Sequence, residues 1–306
     1  MFIHSETIPA LTYVCKNSYL YFIKKICVCG AGTMGTGIAQ VAVQSDFDVI
    51  VFDVNNQVLS KSKISIEDSL QKLEEKGKIS SEQKNKIVQR LTFSVDINDC
   101  VADVIIEAVA ENIVIKQQLF DQLASINNDS TILTTNTSSI PVSALSHDKK
   151  YASQFAGMHF FNPAPAMKLV EIIRAEKTPE IIIETLVDLA QRFGKTPVVC
   201  NDAPGFIVNR IARHYYLEAM QLLEQGAADV GTIDKVMEAT GFRMGPFKLM
   251  DLIGMDVNYS VSNIVWDALG KPERLTPSIL QKEKVEANEL GRKTGKGFYE
   301  YSTPDR

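Results

Sequence analysis

Three observations predict an α/β protein, a doubly wound domain with a mostly parallel sheet and a helical-hairpin insertion, followed by an all-α region. A short apolar run, Lys24-Lys25-Ile26-Cys27-Val28-Cys29, leads straight into Gly30-x-Gly32-x-x-Gly35, and small and apolar residues at helical spacing follow. Runs with strand character then alternate with helical ones, the pattern of a parallel sheet with crossover helices. The character changes at Asp202-Ala203-Pro204-Gly205, beyond which the text reads as helices only.

The glycines come first because their context gives them meaning. Strand, glycines and helix in that order form a dinucleotide-binding fingerprint of the Rossmann kind. Gly30 permits the tight turn, Gly32 lets the backbone approach a pyrophosphate, and Gly35 lets the helix pack on the strand. Thr33 and Met34 open the helix, whose unpaired N–H groups face the phosphates. A second run, Val49-Ile50-Val51-Phe52, ends in Asp53. A carboxylate there accepts hydrogen bonds from a ribose 2′-OH and repels a 2′-phosphate, which predicts NAD over NADP.

From Leu59 to Arg90 the chain is helical and charged, with Leu59, Ile66, Leu70 and Leu73 on one face. Gly77 breaks the pattern, and Ser80-Ser81-Glu82-Gln83 starts a second helix. Eight basic residues (Lys61, Lys63, Lys72, Lys76, Lys78, Lys84, Lys86 and Arg90) stand against five acids here. By charge alone this is a solvated hairpin; the alternative is a landing site for a phosphate-bearing substrate. Strands are predicted at Leu91–Ser94, Val104–Val109, Thr131–Thr134, Phe155–Met158, Leu169–Ile173 and Pro197–Cys200, with a helix over Ile115–Ser125. Val104–Val109 is almost unbroken apolar text, as a strand buried on both faces requires. The later helices are predicted at Phe206–Glu224, Thr232–Thr240 and Leu249–Leu269. The domains are accordingly an extension over 1–23, a dinucleotide-binding domain over 24–203 and a helical substrate and dimerisation domain over 204–306. Ile207, Ile211, Leu217, Met220 and Leu223 exceed what one buried face needs and point to a homodimer through the second domain.

Hydrophobic content of 45% and charged content of 23% exclude extensive disorder. A net charge of −5 argues against nucleic acid as partner. No apolar run approaches a membrane span. The odd set Cys15, Cys27, Cys29, Cys100 and Cys200 has no C-x-x-C pair and reads as reduced thiols of a cytoplasmic protein. No cluster with metal-ligand spacing stands out, so no metal is predicted.

Of four histidines, His4 is in the extension, His147 in a polar loop and His214 in a helix. His159 differs: it closes a strand, at the edge where open α/β sheets bind ligands. Downstream, Lys168-Leu169-Val170-Glu171 puts a carboxylate in a mostly apolar strand, where it needs a partner. An imidazole would serve, and the carboxylate would fix its tautomer for acid–base work. On spacing alone a structural His–Glu pair stands level with a catalytic one.

Six motifs carry a resemblance. Gly30-Ala31-Gly32-Thr33-Met34-Gly35, Asn136-Thr137-Ser138-Ser139, Met158-His159-Phe160-Phe161-Asn162-Pro163, Asp202 through Arg210, Met244-Gly245-Pro246-Phe247 and Thr294-Gly295-Lys296-Gly297-Phe298-Tyr299 occur in that order. Together they resemble the (S)-3-hydroxyacyl-CoA dehydrogenases, specifically the short bacterial 3-hydroxybutyryl-CoA dehydrogenases of fatty-acid and butyrate metabolism. The resemblance spans about Lys24 to Tyr301. It implies an acid–base pair at His159 and Glu171, and Ser138 and Asn209 beside the reacting carbon. It also implies NAD contacts at Asp53, Glu111, Lys116, Ser138 and Lys293, and coenzyme A contacts at Ser69 and Lys76, with Lys116 and Ser138 shared. Hydride transfer between NAD and C3 of the thioester substrate needs no metal.

Two rival readings stay open: a dehydrogenase of a free hydroxy or sugar acid of the L-gulonate type, and a non-catalytic, crystallin-like NAD binder. A free acid has no need of the basic hairpin, and a non-catalytic protein has no need of His159, Glu171, Ser138 and Asn209.

Overall fold

The computed structural model describes residues 23–302. The expected extension, with His4 and Cys15, therefore lies outside the described residues apart from Ile23. That residue is buried, and its carbonyl accepts a hydrogen bond from Arg192.

Strand β1 (Lys25–Cys29) runs into α1 (Thr33–Gln44), then β2 (Asp48–Phe52), the hairpin α2 (Asn56–Glu75) and α3 (Ser81–Gln89), and β3 (Leu91–Ser94). Next come β4 (Val104–Glu107), α4 (Ile113–Ile126), β5 (Ile132–Thr135), α5 (Val142–Ser146) and β6 (Phe155–Phe160). The sheet is completed by β7 (Leu169–Arg174), α6 (Glu180–Arg192) and β8 (Thr196–Asn201). Helices follow: α7 (Val208–Glu224), α8 (Val230–Ala239), α9 (Pro246–Ile253), α10 (Met255–Ala268) and α11 (Ile279–Glu286). The eight strands lie in the order β3-β2-β1-β4-β5-β6-β7-β8. All neighbours pair in parallel except β6 and β7, so β7 and β8 run opposite to the rest.

Side chains alternate across a strand. In β1, Ile26 and Val28 enter the apolar cluster beneath α1, α2 and α6, while Cys27 and Cys29 enter the one beneath α4 and α5. Strand β4 is fully buried, as its apolar run requires. The hairpin forms as expected: Leu59, Ile66 and Leu70 of α2 are buried, and Ser80 and Gln83 make a reciprocal capping box at the start of α3. A third cluster, with Leu217, Met220, Phe247 and Met250, is built from the later helices.

Several boundaries shift by one or two residues, and three differences bear on the architecture. The predicted helix over Leu249–Leu269 is two, α9 and α10, parted at Gly254 with φ 100°, a conformation that interrupts any right-handed helix. The helix predicted from Phe206 starts at Val208, because Gly205 and Phe206 have φ of 72° and 47°. Strand β6 runs past His159 to Phe160, so the histidine sits inside the strand. Helices α5, α6 and α11 have no counterpart among the expected elements.

The C-terminal segment is tied to the helices by two buried aspartates. Asp234 accepts from Phe247 and Lys248 N–H and from the Tyr299 hydroxyl. Asp251 accepts from Phe298 and Tyr299 N–H and from the Tyr301 hydroxyl. A Cβ on Gly297 would stand 2.1 Å from the Asp251 carboxylate. Gly297→Ala should therefore cost about 1–3 kcal/mol, as overpacking does, read as a lowered urea midpoint; an unchanged midpoint would remove this clamp from the account.

Candidate active site

Strands β1, β2, β4, β5 and β6 are parallel, so their carboxyl ends share one edge of the sheet. Open α/β sheets bind ligands at that edge. Strand β7 runs the other way and begins there.

At the end of β1, Gly30 N–H donates to the Phe52 carbonyl at 2.7 Å. A Cβ on Gly30 would lie 2.5 Å from the Ala108 carbonyl oxygen, and one on Gly35 would lie 1.7 Å from that of Gly30. Around Gly32 nothing stands within 4 Å of such an atom. Two glycines are thus required by the protein's own packing, while the third leaves space for something outside it. The N–H groups of Thr33, Met34 and Gly35 open α1 without a side-chain cap from Gly32, a ready anion site. Asp53 follows β2 and turns back onto the loop, accepting from Ala31 N–H at 2.9 Å and from Asn55 N–H at 2.9 Å. Backbone open at Gly32, free helix N–H groups and a carboxylate at the tip of β2 fit the pyrophosphate and ribose of NAD.

The ends of β4 and β5 carry a buried polar network. The Lys116 ammonium, 1% exposed, lies 2.5 Å from Glu107 Oε1 and 3.2 Å from Glu111 Oε2. Glu107 also accepts from Val109 N–H and the Thr135 hydroxyl. Burial pushes the Glu107 carboxyl above its ordinary range, against the pull of Lys116. Burial acts on Glu111 too, yet Lys116 and the Thr137 and Ser139 hydroxyls outweigh it and hold that carboxyl low. Glu111 Oε1 gathers the Asn136–Ser139 turn, accepting from the Thr137 and Ser139 hydroxyls and from Ser138 and Ser139 N–H. Asn136 Oδ1 accepts from Phe160 N–H at 2.8 Å, tying this turn to the end of β6.

His159 and Glu171 are directly opposed in the antiparallel pair β6–β7, so their side chains share a face. Nδ1 of His159 lies 2.8 Å from Glu171 Oε2, with both residues buried. The rings of Phe161 and Phe206 flank the imidazole, at centroid distances of 4.6 and 5.6 Å. The other oxygen, Oε1, accepts from Ile207 and Val208 N–H at 3.0 and 2.9 Å, the entrance of α7. Burial would raise the Glu171 carboxyl, but the bonds from His159 and these N–H groups win and hold it below the ordinary range. An ionised acceptor makes Nδ1–H the donor and leaves Nε2 as the basic nitrogen.

His159, Glu171 and the turn bearing Ser138 thus converge, and half-buried Asn209 follows immediately on the N–H groups that Glu171 holds. Lys116 is engaged by two carboxylates rather than turned to the surface. Lys293 pairs with Asp256 on α10 at 2.5 Å, among the later helices. Ser69 lies on α2, where it accepts from Gln40 and joins Lys61, Ile64, Ser65, Asp68 and Lys72 around a groove of about 410 Å³; Lys76 is exposed at the end of the same helix. The sequence reading missed Glu107, Phe161 and Phe206. The Phe-Phe pair after His159 was visible, but its packing on the imidazole depends on the fold.

A carboxyl held low stabilises the folded chain above its unfolded pKa, and that contribution is lost as pH falls through the folded value. Wild-type stability should therefore drop below about pH 4.3, the ordinary glutamate value, and Glu171→Gln should flatten part of that drop. Urea midpoints at neutral and acid pH measure it, and an unchanged slope would contradict the assignment.

Residues 25–203 match the family model of the 3-hydroxyacyl-CoA dehydrogenase NAD binding domain, and residues 205–301 that of the 3-hydroxyacyl-CoA dehydrogenase C-terminal domain. A probable 3-hydroxybutyryl-CoA dehydrogenase of Deinococcus radiodurans is 43% identical over 279 residues, covering 90% of this chain and 100% of the relative. The 3-hydroxyadipyl-CoA dehydrogenase of Escherichia coli K12 is 41% identical over 281 residues. There the match covers 91% of this chain, which spans only 59% of the relative's length. The crystal structure of (S)-3-hydroxybutyryl-CoA dehydrogenase from Ralstonia eutropha superposes with a TM-score of 0.87 at 35% identity, over 92% of this chain and 100% of that one. With both domain models matched in order and the dinucleotide fingerprint in place, the chain belongs to the 3-hydroxyacyl-CoA dehydrogenase family.

Proposed function

We propose that this protein is an NAD-dependent dehydrogenase that interconverts (S)-3-hydroxybutyryl-CoA and acetoacetyl-CoA. The observation that carries the reading is the His159–Glu171 pair at 2.8 Å, set at the same sheet edge as the dinucleotide fingerprint. When bound, NAD supplies the hydride acceptor for C3 of the substrate. Nε2 of His159 takes the proton from the 3-hydroxyl as the carbonyl forms, and returns it in the reverse direction. Glu171 keeps the imidazole in that tautomer and stabilises the cation that forms, the role a buried carboxylate plays beside a catalytic histidine. Ser138 and Asn209 orient the 3-oxygen and the thioester from the two sides of the cleft. Gly30, Gly32, Thr33, Met34 and Gly35 receive the pyrophosphate and Asp53 the ribose, with Glu111 and Lys116 holding the Ser138 turn in place.

Ser69 and Lys76 receive the phosphates of coenzyme A, together with the groove beside Lys61 and Lys72. Other cations of the hairpin are already engaged: Lys84 with Glu74 at 2.6 Å, Lys86 with Glu82 at 2.8 Å and Arg90 with Asp46 at 2.8 Å. This groove favours a thioester over the free acid of an L-gulonate-type enzyme. The names of the Deinococcus and Ralstonia relatives favour the four-carbon acyl group.

We place the domain division between residues 203 and 204 and the protein in the cytoplasm; no described helix is long and apolar enough to cross a membrane. We also assign a homodimer through the later helices. Ile211, Val236, Val257 and Ile279 there are 47–66% exposed, apolar surface suited to a second copy.

Acetoacetyl-CoA should oxidise NADH rapidly at neutral pH, while free acetoacetate with NADH and acetoacetyl-CoA with NADPH should not. Turnover of a free acid alone would overturn the thioester reading. His159→Ala should lower kcat by about 10²–10⁴-fold with NADH binding retained, and near-normal turnover would remove His159 from the reaction. Lys72→Ala with Lys76→Ala should raise KM for acetoacetyl-CoA and leave kcat near wild type.

A further inference from the structure

The metal-ligand spacing that is missing along the chain arises in three dimensions. Cys27 and Cys29 project from the same face of β1, and Cys100 reaches them from the short 3-10 turn that follows β3. All three are buried, and their sulfur atoms lie within 4.8 Å of one another, with Cys27 and Cys29 at 3.8 Å. Among the described residues no further histidine, cysteine or carboxylate joins the group.

We infer that Cys27, Cys29 and Cys100 form a three-sulfur site for a single soft cation, copper(I). The spacing supports it. An ion in the plane of three sulfurs so placed and equidistant from them would stand about 2.2–2.6 Å from each, a range that includes a metal–thiolate bond of about 2.3 Å. The number of donors selects the ion. A structural zinc site takes four ligands, and iron–sulfur clusters are held by four cysteines or a mixed set of four. Thiolates select copper(I) among the remaining soft cations, and its trigonal coordination needs no fourth group. Binding displaces thiol protons to solvent and makes no change of oxidation state.

The surroundings suit a closed site with one movable wall. Ile105, Phe120 and Leu123 pack in the same apolar cluster as the cysteines, so water does not compete for the ion there. Asp99 and Val101, on either side of Cys100, are exposed, and the Cys100 carbonyl is tethered by Asn127 Nδ2 at 2.8 Å. Lifting this short turn is the path by which an ion enters. Cys29 also stands next to Gly30, so an ion here would cross-link β1 to the approach to β4 directly beneath the dinucleotide loop.

The test uses the full reduced chain, anaerobically, with Cys15→Ser and Cys200→Ser so that only these three thiols remain. Prolonged incubation with copper(I) bicinchoninate should transfer one copper(I) per chain and raise the thermal midpoint, since an ion bound to the folded state alone stabilises it. Cys100→Ser in that background should weaken copper(I) binding by at least about 100-fold, since losing a ligand costs more than the roughly 10–100-fold of losing a residue that only supports one. Cys29→Ala is the second variant and should behave alike. Failure to withdraw copper(I) from the chelator, or a copper(I) affinity in either variant equal to that of the three-thiol parent, would overturn the site. NADH binding, followed in parallel, reports that each variant is folded and is not itself expected to be lost.

Discussion

One carboxylate with two oxygens in different service holds this structure to its chemistry. Glu171 Oε2 fixes the imidazole of His159, while Oε1 takes the first N–H groups of α7. The position of the helix that carries Asn209 and the orientation of His159 are therefore set by a single buried side chain. These bonds favour the ionised form, and so hold the carboxyl low despite its burial. A helix N-terminus and an imidazole are natural partners for a buried negative charge, the one through its dipole and the other through its N–H. The same arrangement makes the start of α7 irregular: positive φ at Gly205 and Phe206 aims the chain into the carboxylate and lays the Phe206 ring beside the histidine.

A second buried network performs the same kind of positioning one strand away. Lys116 neutralises Glu107 inside the domain and Glu111 at its edge, and Glu111 gathers the Ser138 turn. Buried ion pairs contribute little net stability, because desolvation offsets their attraction. Their worth here is geometric: Lys116 draws both carboxylates together, and its removal would leave two acids without their cation, so the turn has one arrangement. Glu107 and Lys116 thus bear on the candidate site through what they hold in place.

Some motifs that look chemical are structural in this fold. Gly245-Pro246-Phe247 starts α9 over the Asp234 carboxylate, and Gly297-Phe298-Tyr299 wraps the Asp251 carboxylate. Each aspartate is buried and takes three hydrogen bonds, which meets the demand of a buried charge for partners. The result is a C-terminal strap across α8 and α9, and it accounts for the tight glycine at 297.

Much of this was legible in the residues themselves. The glycine loop, Asp53, the buried run of β4 and the amphipathic hairpin are local patterns, and local patterns follow from backbone sterics and from which side chains avoid water. His159 and Glu171 were each conspicuous, one for its place at a strand end and the other as a charge in apolar text. Their pairing was expected, because a carboxylate in apolar text needs a partner, but the direct opposition that brings it about exists only in the antiparallel register of β6 and β7. The sequence pattern likewise runs one helix through Gly254, and it brings neither Cys100 to Cys27 and Cys29 nor Lys116 to Glu107. By itself the sequence determined the α/β class, the order of the elements and the residues with chemical potential. Only the tertiary structure decided which charges found partners and which thiols met, because those outcomes depend on strand register and helix docking between residues distant in the chain.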